Sequence, residues 1–339
     1  MGGAESAHRV LALAGGRRRG PWWRLALCLL LAGCAPREWP AGPVTGDTEL
    51  ASHAVMAPDG ARLPLRTWAA KGQPHAVILA LHGLNDYSGQ FLEDAAPLLT
   101  AGGVVLYAYD QRGFGAAPDR GLWPGAETLV ADARDTIAVL RARHPGLPLV
   151  LLGESMGGAI ALLAGEGVAD RVVLVAPALW SRDAMGSVLS GLLWLAAHTL
   201  PKLGLENSAP GFRASDNDAA LRRLGRDPLV LHSTRVEVLW GVTNLMDAAV
   251  AALPQCCATP TLVLVGAHDQ IVPQTPVRRA LRGARLTVGR YEEGYHLLLR
   301  DSIREKVVAD ILAWIAQPGA GLPSGADAAG RVWLSQPDP

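Results

Sequence analysis

A serine stands between two glycines in the segment GESMG, residues 153–157. The apolar residues 149–152 before it are typical of a buried parallel strand, and the apolar residues 159–164 after it are typical of a buried helix. We therefore expect Ser155 to lie on a sharp turn from strand to helix, where small neighbours let the two elements pass closely. A serine on such a turn is a candidate nucleophile.

A serine hydroxyl is a weak nucleophile at neutral pH, so it needs a base that is itself oriented by a carboxylate. In an open parallel sheet these partners are expected in loops at the carboxyl ends of later strands. Asp269 follows the apolar run 261–266, and His296 follows the last predicted strand, near residues 286–288. Their order after Ser155 is that of α/β-hydrolases. His268 competes as the base, but beside Asp269 it cannot easily reach both the serine and that carboxylate.

Attack of a serine on a carbonyl group develops a negative oxygen, which backbone N–H groups can stabilise. The first expected donor is the amide of Met156, at the start of the predicted helix, where the helix dipole favours negative charge. The second donor is expected in the loop after the apolar run 75–83, where Leu84 follows His82. The sequence thus predicts an oxyanion hole formed by the backbone amides of Leu84 and Met156.

The elements that must position these groups alternate between strand and helix from about residue 50. This order predicts an α/β fold, with a mostly parallel sheet that carries helices on both faces. The predicted core comprises residues 50–179 and 236–317. It begins with an antiparallel hairpin over residues 51–69 and ends with an amphipathic helix over residues 303–315.

The alternation stops between the two parts of this core. Residues 185–200 are apolar nearly all round, and a helix of that kind must be buried or must face something apolar. We predict a helical cap inserted over residues 180–235, with a further core helix as the alternative. Residues 318–339 show no periodicity and indicate a C-terminal tail.

The first residues are typical of a targeting segment. Several arginines precede an apolar run of about nine residues, which is too short to cross a bilayer. The run ends in LAGC, residues 31–34, which resembles the lipobox of bacterial lipoproteins. We predict a lipoprotein signal peptide over residues 1–33, a lipidated Cys34 and a tether over residues 34–49, in a protein anchored to a bacterial envelope membrane and facing the periplasm. An ordinary secretory signal or an uncleaved anchor is the alternative.

Composition and charge exclude other classes of function. Residues 1–33 hold five Arg and one Glu, which leaves a net charge of −4 on the remaining residues, so nothing indicates nucleic-acid binding. There is no H-E-x-x-H motif and no cysteine pair at zinc spacing, so no metal or cofactor is expected. A disulfide between the adjacent Cys256 and Cys257 has unfavourable geometry, and we predict that both are buried, small apolar residues.

Five blocks of the sequence together resemble the monoacylglycerol lipase and lysophospholipase branch of the α/β-hydrolases: LHGLNDYSGQF, YDQRGFG, GESMGGAIAL, GAHDQIVP and GYHLLL. The resemblance extends over about residues 50–316. It implies an α/β-hydrolase fold with Ser155 as nucleophile and with Asp269 and His296 as its partners. It also implies that the amides of Leu84 and Met156 form the oxyanion hole.

The chain departs from that branch at three places. Asn85 stands where glycine is frequent, and it is the next-best residue for a positive φ. Phe114 stands where a histidine is common, and Arg300-Asp301 stands where an acidic residue is usual. These changes affect loop packing and substrate contacts more than the catalytic groups.

The expected function is that of a membrane-anchored serine hydrolase, which cleaves carboxylic esters of monoacyl lipids through an acyl-enzyme. The partners expected are a lipid ester substrate and, through Cys34, the membrane. Acyl transfer and short-chain ester hydrolysis are alternatives among enzymes. A non-catalytic envelope binding protein is the alternative from another class, and the intact set Ser155, Asp269 and His296 speaks against it.

Overall fold

A computed structural model describes residues 35–207 and 211–338. The predicted signal peptide, residues 1–33, and the predicted lipidation site, Cys34, lie outside the described residues. Within the described part of the chain, one sheet with helices on both faces forms the core. The predicted α/β fold with a mostly parallel sheet is confirmed.

The central sheet has nine strands in the order β1-β2-β3-β5-β4-β6-β7-β10-β11, and β8 pairs with β9 apart from it. The strands are β1 (Glu49–Ala51), β2 (Ala54–Met56), β3 (Arg62–Trp68), β4 (Ala76–Leu81), β5 (Val104–Tyr109), β6 (Leu149–Glu154), β7 (Arg171–Val175), β8 (Gly204–Glu206), β9 (Ser233–Arg235), β10 (Thr261–Gly266) and β11 (Thr287–Tyr291). The first three are antiparallel at one edge, as the predicted hairpin requires, and β3 is antiparallel to β5. The other pairings in this sheet are parallel.

Ten helices accompany these strands in the described residues: α1 (Ser88–Leu92), α2 (Ala96–Ala101), α3 (Ala126–Arg143), α4 (Met156–Gly165), α5 (Arg182–Thr199), α6 (Asp218–Leu224), α7 (Val236–Ala252), α8 (Gln274–Leu281), α9 (Arg304–Ala316) and α10 (Ala326–Ser335). Alternate side chains of β4 point to opposite faces of the sheet. Val77 and Leu79 join the apolar cluster under α3, α4 and α7. Ile78 and Ala80 join the cluster under α1, α2 and α9. Burial on both faces is why the parallel strands are continuously apolar.

Helix α7 with its following turn, Val236–Gln255, is long and apolar enough by length and composition to cross a membrane. It packs on α4 instead, and its Leu245 and Ala249 are fully buried. An apolar helix that is covered by other elements is a core helix of the fold.

The cap segment lies between β7 and α7 and holds α5, β8, α6 and β9. Helix α5 is interrupted at Gly186, where φ is 77°. The sequence indicated that this apolar helix is either buried or faces something apolar, and Ala197 is its only fully buried residue in the described chain. Its exposed apolar side chains are Val188, Leu189, Leu192, Trp194 and Leu195.

The prediction of an irregular C-terminal tail was wrong. Helix α10 lies along the edge strand β11, and a methyl group on Gly330 would come within 2.0 Å of the Val288 carbonyl oxygen. Trp333 of this helix is buried in the core. Asp338 then pairs with the arginines Arg278, Arg279 and Arg282. A small residue at the closest approach lets this helix cover the strand, which the hydrophobic pattern alone did not indicate.

The predicted tether differs from the structure as well. The Trp39 amide donates to the Trp123 carbonyl at 2.8 Å, and the Thr45 amide donates to the Pro58 carbonyl at 2.7 Å. The Ala41 amide donates to Thr128 Oγ1 at 3.3 Å. The chain from residue 39 onwards therefore lies on the core, because loops of the core offer acceptors to its backbone.

Cys256 and Cys257 form a disulfide, so the prediction that they are two free apolar residues was wrong. Cys257 adopts a φ of 81°, and its amide donates to Glu166 Oε2 at 3.1 Å. This left-handed backbone, held by a hydrogen bond, was not apparent in the sequence. We predicted buried side chains at both positions, and Cys257 is buried.

Candidate active site

Ser155 lies on the turn from β6 into α4, with φ 55° and ψ −116°. A non-glycine residue rarely adopts a positive φ, and such a conformation persists only where its surroundings impose it. The Ser155 amide donates to the Val175 carbonyl at 2.9 Å, and the Ser155 carbonyl accepts from the Ala178 amide at 2.9 Å. Ser155 is therefore held on both sides by the end of β7.

The glycines of the motif are required by close packing at this turn. A methyl group on Gly153 would lie 2.0 Å from the carbonyl oxygen of Gly157. One on Gly157 would lie 2.2 Å from the carbonyl oxygen of Leu81 at the end of β4. Neither position has room for a side chain, so the two glycines allow β6, α4 and β4 to meet behind the serine.

Asp269 and His296 are brought together at the carboxyl ends of β10 and β11. The Nδ1 atom of His296 lies 2.7 Å from Asp269 Oδ2. The other carboxylate oxygen accepts from the amides of Ile271 at 2.8 Å and Val272 at 3.0 Å. The backbone therefore fixes the carboxylate, and the carboxylate in turn orients the imidazole with Nε2 as its free nitrogen.

The charges around His296 favour its protonated form. Burial disfavours the imidazolium, but the carboxylates of Asp269 and Glu154 outweigh this and raise the pKa of His296 above its ordinary value of 6.5. Arg300 acts in the opposite direction. A base of this kind accepts a proton readily once it is neutral.

No direct hydrogen bond joins Ser155 to His296 in the described part of the chain. The loop that carries His296 is docked against the serine turn, since Arg300 donates to Glu154, the residue before Ser155, at 2.6 Å. Hydrogen bonds between a nucleophile and its base are often long without substrate and shorten in the bound complex. His268, the competing base, is exposed and lies beside the ring of Tyr295.

The Leu84 and Met156 amides, which were predicted to form an oxyanion hole, flank the serine. A methyl group on Gly83 would lie 3.3 Å from Ser155 Cβ, so this loop abuts the nucleophile. Within residues 35–207 and 211–338, neither the Leu84 nor the Met156 amide donates a hydrogen bond to the protein. Both donors are therefore available to a developing negative oxygen.

Two residues fix the loop that carries Leu84. Asn85 has a φ of 66°, as expected for its replacement of glycine, and its side chain donates to Thr234 of the cap at 2.7 Å. His82 contacts the Gly83 carbonyl through Nδ1 at 2.8 Å and accepts from the Gln111 amide at Nε2. Burial lowers the pKa of His82, which keeps the ring neutral. One ring nitrogen can then donate to the Gly83 carbonyl while the other accepts from the Gln111 amide.

The residue that replaces the usual histidine, Phe114, is buried and packs edge-on against His82 with ring centroids 5.8 Å apart. Its effect is thus on loop packing, in line with the expectation from the sequence.

Two residues of the His296 loop have roles that sequence reasoning missed. Arg300 pairs with Asp86 and Glu154, both buried. Asp301 accepts from the Tyr295 amide at 2.7 Å and from the hydroxyl of Ser215 in the cap. Burial raises the pKa of Asp301 to about 6. The only sequence signal was the unusual Arg300-Asp301 pair after the histidine.

No group of His, Cys, Asp and Glu side chains that could hold a metal ion is found among the described residues. The groups gathered at the carboxyl edge of the sheet comprise a strained serine, a paired imidazole and two free amides. This set is suited to acyl transfer through a serine nucleophile.

The fold and this site define the α/β-hydrolase class. The chain belongs to the Hydrolase_4 family (Serine aminopeptidase, S33), which it matches over residues 72–303. It is 28% identical over 277 residues to the monoglyceride lipase of Homo sapiens, covering 78% of this chain and 90% of that protein. It is 25% identical over 280 residues to the monoacylglycerol lipase of Mycolicibacterium smegmatis, covering 78% and 96%.

A solved structure of a monoacylglycerol lipase is also similar to this chain. The crystal structure of the Paleococcus ferrophilus monoacylglycerol lipase is similar with a TM-score of 0.60 and 26% identity, covering 75% of this chain and 98% of that one. The protein is a carboxylic ester hydrolase.

Proposed function

We propose that the protein is a membrane-anchored serine hydrolase that cleaves the carboxylic ester of monoacyl lipids, a monoacylglycerol or a lysophospholipid, through an acyl-enzyme. The observation that carries this proposal is the 2.7 Å contact between His296 Nδ1 and Asp269 Oδ2, in a loop docked against the strained turn at Ser155. The similar proteins from Homo sapiens and Mycolicibacterium smegmatis carry the names monoglyceride lipase and monoacylglycerol lipase.

The first half of the reaction forms the acyl-enzyme. His296 accepts the Ser155 hydroxyl proton at Nε2 as Oγ attacks the ester carbonyl carbon. The carbonyl oxygen becomes negative and accepts hydrogen bonds from the Leu84 and Met156 amides. When the intermediate collapses, the bond to the alcohol oxygen breaks and His296 gives its proton to that oxygen, so the alcohol leaves neutral.

The second half returns the enzyme to its starting state. Water attacks the acyl carbon while His296 accepts a water proton, and the bond to Ser155 Oγ breaks. The fatty acid leaves and Oγ recovers the proton from His296. Asp269 stays ionised throughout, holds the imidazole in the required tautomer and stabilises its charged form.

Preference for a lipid is supported by the cap. Helix α5 presents apolar side chains on the surface of the segment that leads from β7 towards α7, and α5 packs on α7. Met185 and Leu193 of this helix are half-buried. A cap helix with apolar side chains suits a substrate with one long acyl chain and a polar head.

The position of Trp39 indicates which edge of the sheet a lipid anchor on Cys34 would bring near the membrane. The Trp39 amide donates a hydrogen bond to the carbonyl of Trp123, which lies in the loop after the carboxyl end of β5. Ser155 lies at the same edge of the sheet. Since five extended residues span about 17 Å, lipid on Cys34 would hold this edge close to the membrane. The proposed location is a bacterial envelope membrane, with the enzyme facing the periplasm.

The proposal is tested by labelling and product analysis. A fluorophosphonate probe is expected to label the protein, with no labelling of Ser155→Ala, because the probe reacts only with an activated serine. Monoacylglycerols are then incubated with the enzyme, and glycerol and fatty acid are measured with and without an added acceptor alcohol. Release of free fatty acid as the main product supports hydrolysis. Transfer of most acyl groups to the alcohol would favour an acyltransferase, and absence of labelling would favour a binding protein.

A further inference from the structure

Three loops that carry the candidate catalytic groups meet at one buried cation. Arg300 follows His296 by four residues, and its side chain is only 2% exposed. Its Nη1 donates to Asp86 Oδ2 at 2.7 Å, and its Nη2 donates to Glu154 Oε1 at 2.6 Å. Both carboxylates are buried. One guanidinium therefore joins the loop after β4, the end of β6 and the His296 loop.

Each carboxylate is adjacent to one half of the oxyanion hole. Asp86 lies two residues after Leu84, and its Oδ1 also accepts from the Tyr87 amide at 2.8 Å. Glu154 lies two residues before Met156, directly before the nucleophile. The two amides come from loops that are distant in sequence, so their separation depends on what joins these loops.

We infer that Arg300 is a positioning residue for the proposed hydrolysis: its planar guanidinium sets the Leu84 and Met156 amides at the spacing that one carbonyl oxygen requires, and it fixes His296 against both. This inference rests on the proposed function. Arginine suits the role because its fork of donors can bond two carboxylates at once in a fixed geometry, whereas a lysine ammonium is a point charge on a flexible chain.

The charge of Arg300 matters as well as its shape. Without it, two buried carboxylates would face each other next to the place where the carbonyl oxygen becomes negative. Glu154 has no other side-chain partner in the described chain, and its Oε2 is already unpaired. Removing one partner of a buried pair leaves an uncompensated charge, so the remaining carboxylates would move apart or take up water.

The chain offers a matched control for a buried arginine between two carboxylates. Arg112 bonds Asp59 at 2.7 Å and Asp132 at 2.7 Å, and its side chain is 7% exposed. It joins the turn between β2 and β3 to α3, and its side-chain hydrogen bonds in the described part of the chain go only to Asp59 and Asp132. Arg112→Met therefore shows what losing such an arginine does to the fold alone.

The test compares Arg300→Met, Arg300→Lys and Arg112→Met in the full chain, with kcat and KM for a short soluble ester and the thermal midpoint of each variant. We expect kcat of Arg300→Met to fall about 100-fold with KM nearly unchanged, since a displacement of about 1 Å at a reacting group has that effect. Arg300→Lys is expected to lose at least about 10-fold, because a flexible ammonium does not hold both carboxylates in a fixed geometry. Arg112→Met is expected to lose stability and keep its kcat.

Two further measurements separate positioning from stability. In Arg300→Met the acid limb of kcat/KM should move to higher pH, because a cation that disfavours the His296 imidazolium is gone, whereas Arg112→Met should not move it. The double variant Glu154→Gln with Arg300→Met removes one of the two carboxylate charges left without a partner, so it should regain part of the lost stability without regaining kcat. A double variant with the parent kcat would overturn the inference.

If Arg300→Met does not fold, Arg300→Lys and the double variant decide the question. Either one at the parent kcat, in folded protein, contradicts a positioning role. An inactive parent enzyme, or a Ser155→Ala variant that keeps activity, would instead overturn the proposed function itself.

Discussion

Asp269 and His296 lie 2.7 Å apart, Oδ2 to Nδ1, although 27 residues separate them in the chain. Their contact follows from the register of the sheet. Gly266, at the end of β10, is paired with Tyr291, at the end of β11, so the two loops leave the same edge side by side. In parallel strands the carboxyl ends always meet at one edge.

The pair predicts how activity responds to pH. Since Asp269 and Glu154 raise the pKa of His296 above 6.5, the imidazole becomes protonated and inactive as pH falls through that raised pKa. Asp269→Asn removes the nearest charge and favours the wrong tautomer, so kcat should fall roughly 10⁴-fold and the acid limb should shift to lower pH. The measurement is kcat/KM for a soluble ester as a function of pH.

His268 on the same loop provides the control for that measurement. Its side chain is exposed, so His268→Ala should retain both the rate and the pH profile of the parent. Only a mild loss in Asp269→Asn, with the limb unmoved, would mean that another carboxylate orients His296.

Ser155 and His296 are expected to act as one unit. Ser155→Ala and His296→Ala should each lower kcat by up to about 10⁶-fold, and the double variant should be no worse than either single one. The residual rate then reflects the oxyanion hole and binding alone. Assays need folded protein, checked by circular dichroism. A single variant that keeps more than a few per cent of the parent rate would contradict the assignment.

The positions of Leu84, Ser155 and Asp269 were predictable because each of them follows an apolar strand. Strands β4, β6 and β10 are buried on both faces, so they are continuously apolar and their ends are marked in the sequence. The serine turn needs glycines for the same steric reason that makes the motif recognisable. The local pattern was therefore sufficient to place Ser155 on its turn, and chain order was sufficient to place Asp269 and His296 in loops after later strands.

Contacts that join distant segments were not predictable. Arg300 bonds Asp86 across 214 residues and Glu154 across 146, and no local pattern encodes such a pairing. Helix periodicity alone also does not reveal a break near a proline. Residues 91–99 have helical spacing, but the chain forms two short helices, and Pro97 lies in the first turn of the second one.

The lipid anchor predicts a change of location. Cys34→Ser should move the protein from the membrane fraction to the soluble fraction or leave an unprocessed precursor, because the apolar run before Cys34 is too short to span a bilayer. Fractionation with immunoblotting measures this, and mass spectrometry of the mature N-terminus identifies the modification. Cys28→Ser, within the same signal segment, is the control and should leave both unchanged. An unmodified Cys34 in membrane-bound protein would refute the lipoprotein assignment.

The length of the acyl chain should govern the rate if the cap receives it. Each buried methylene contributes about 0.8 kcal/mol, so kcat/KM for monoacylglycerols should rise from butyryl to at least decanoyl esters and then level off when the apolar site is full. The polar glycerol head remains at the solvated edge, which favours monoacyl over triacyl substrates. The measurement is fatty acid release from monomeric substrates of graded chain length.

Two adjacent leucines of α5 make this prediction specific to the cap. Leu193 is half-buried, whereas Leu192 is 59% exposed. Leu193→Asp should flatten the dependence on chain length and leave butyryl hydrolysis nearly unchanged, because a charge next to the acyl chain removes the gain from burying methylenes. Leu192→Asp, which adds the same charge on the outer side, should keep the slope of the parent. Preference of the parent for acetyl or butyryl esters would contradict a lipid substrate and leave the serine mechanism unaffected.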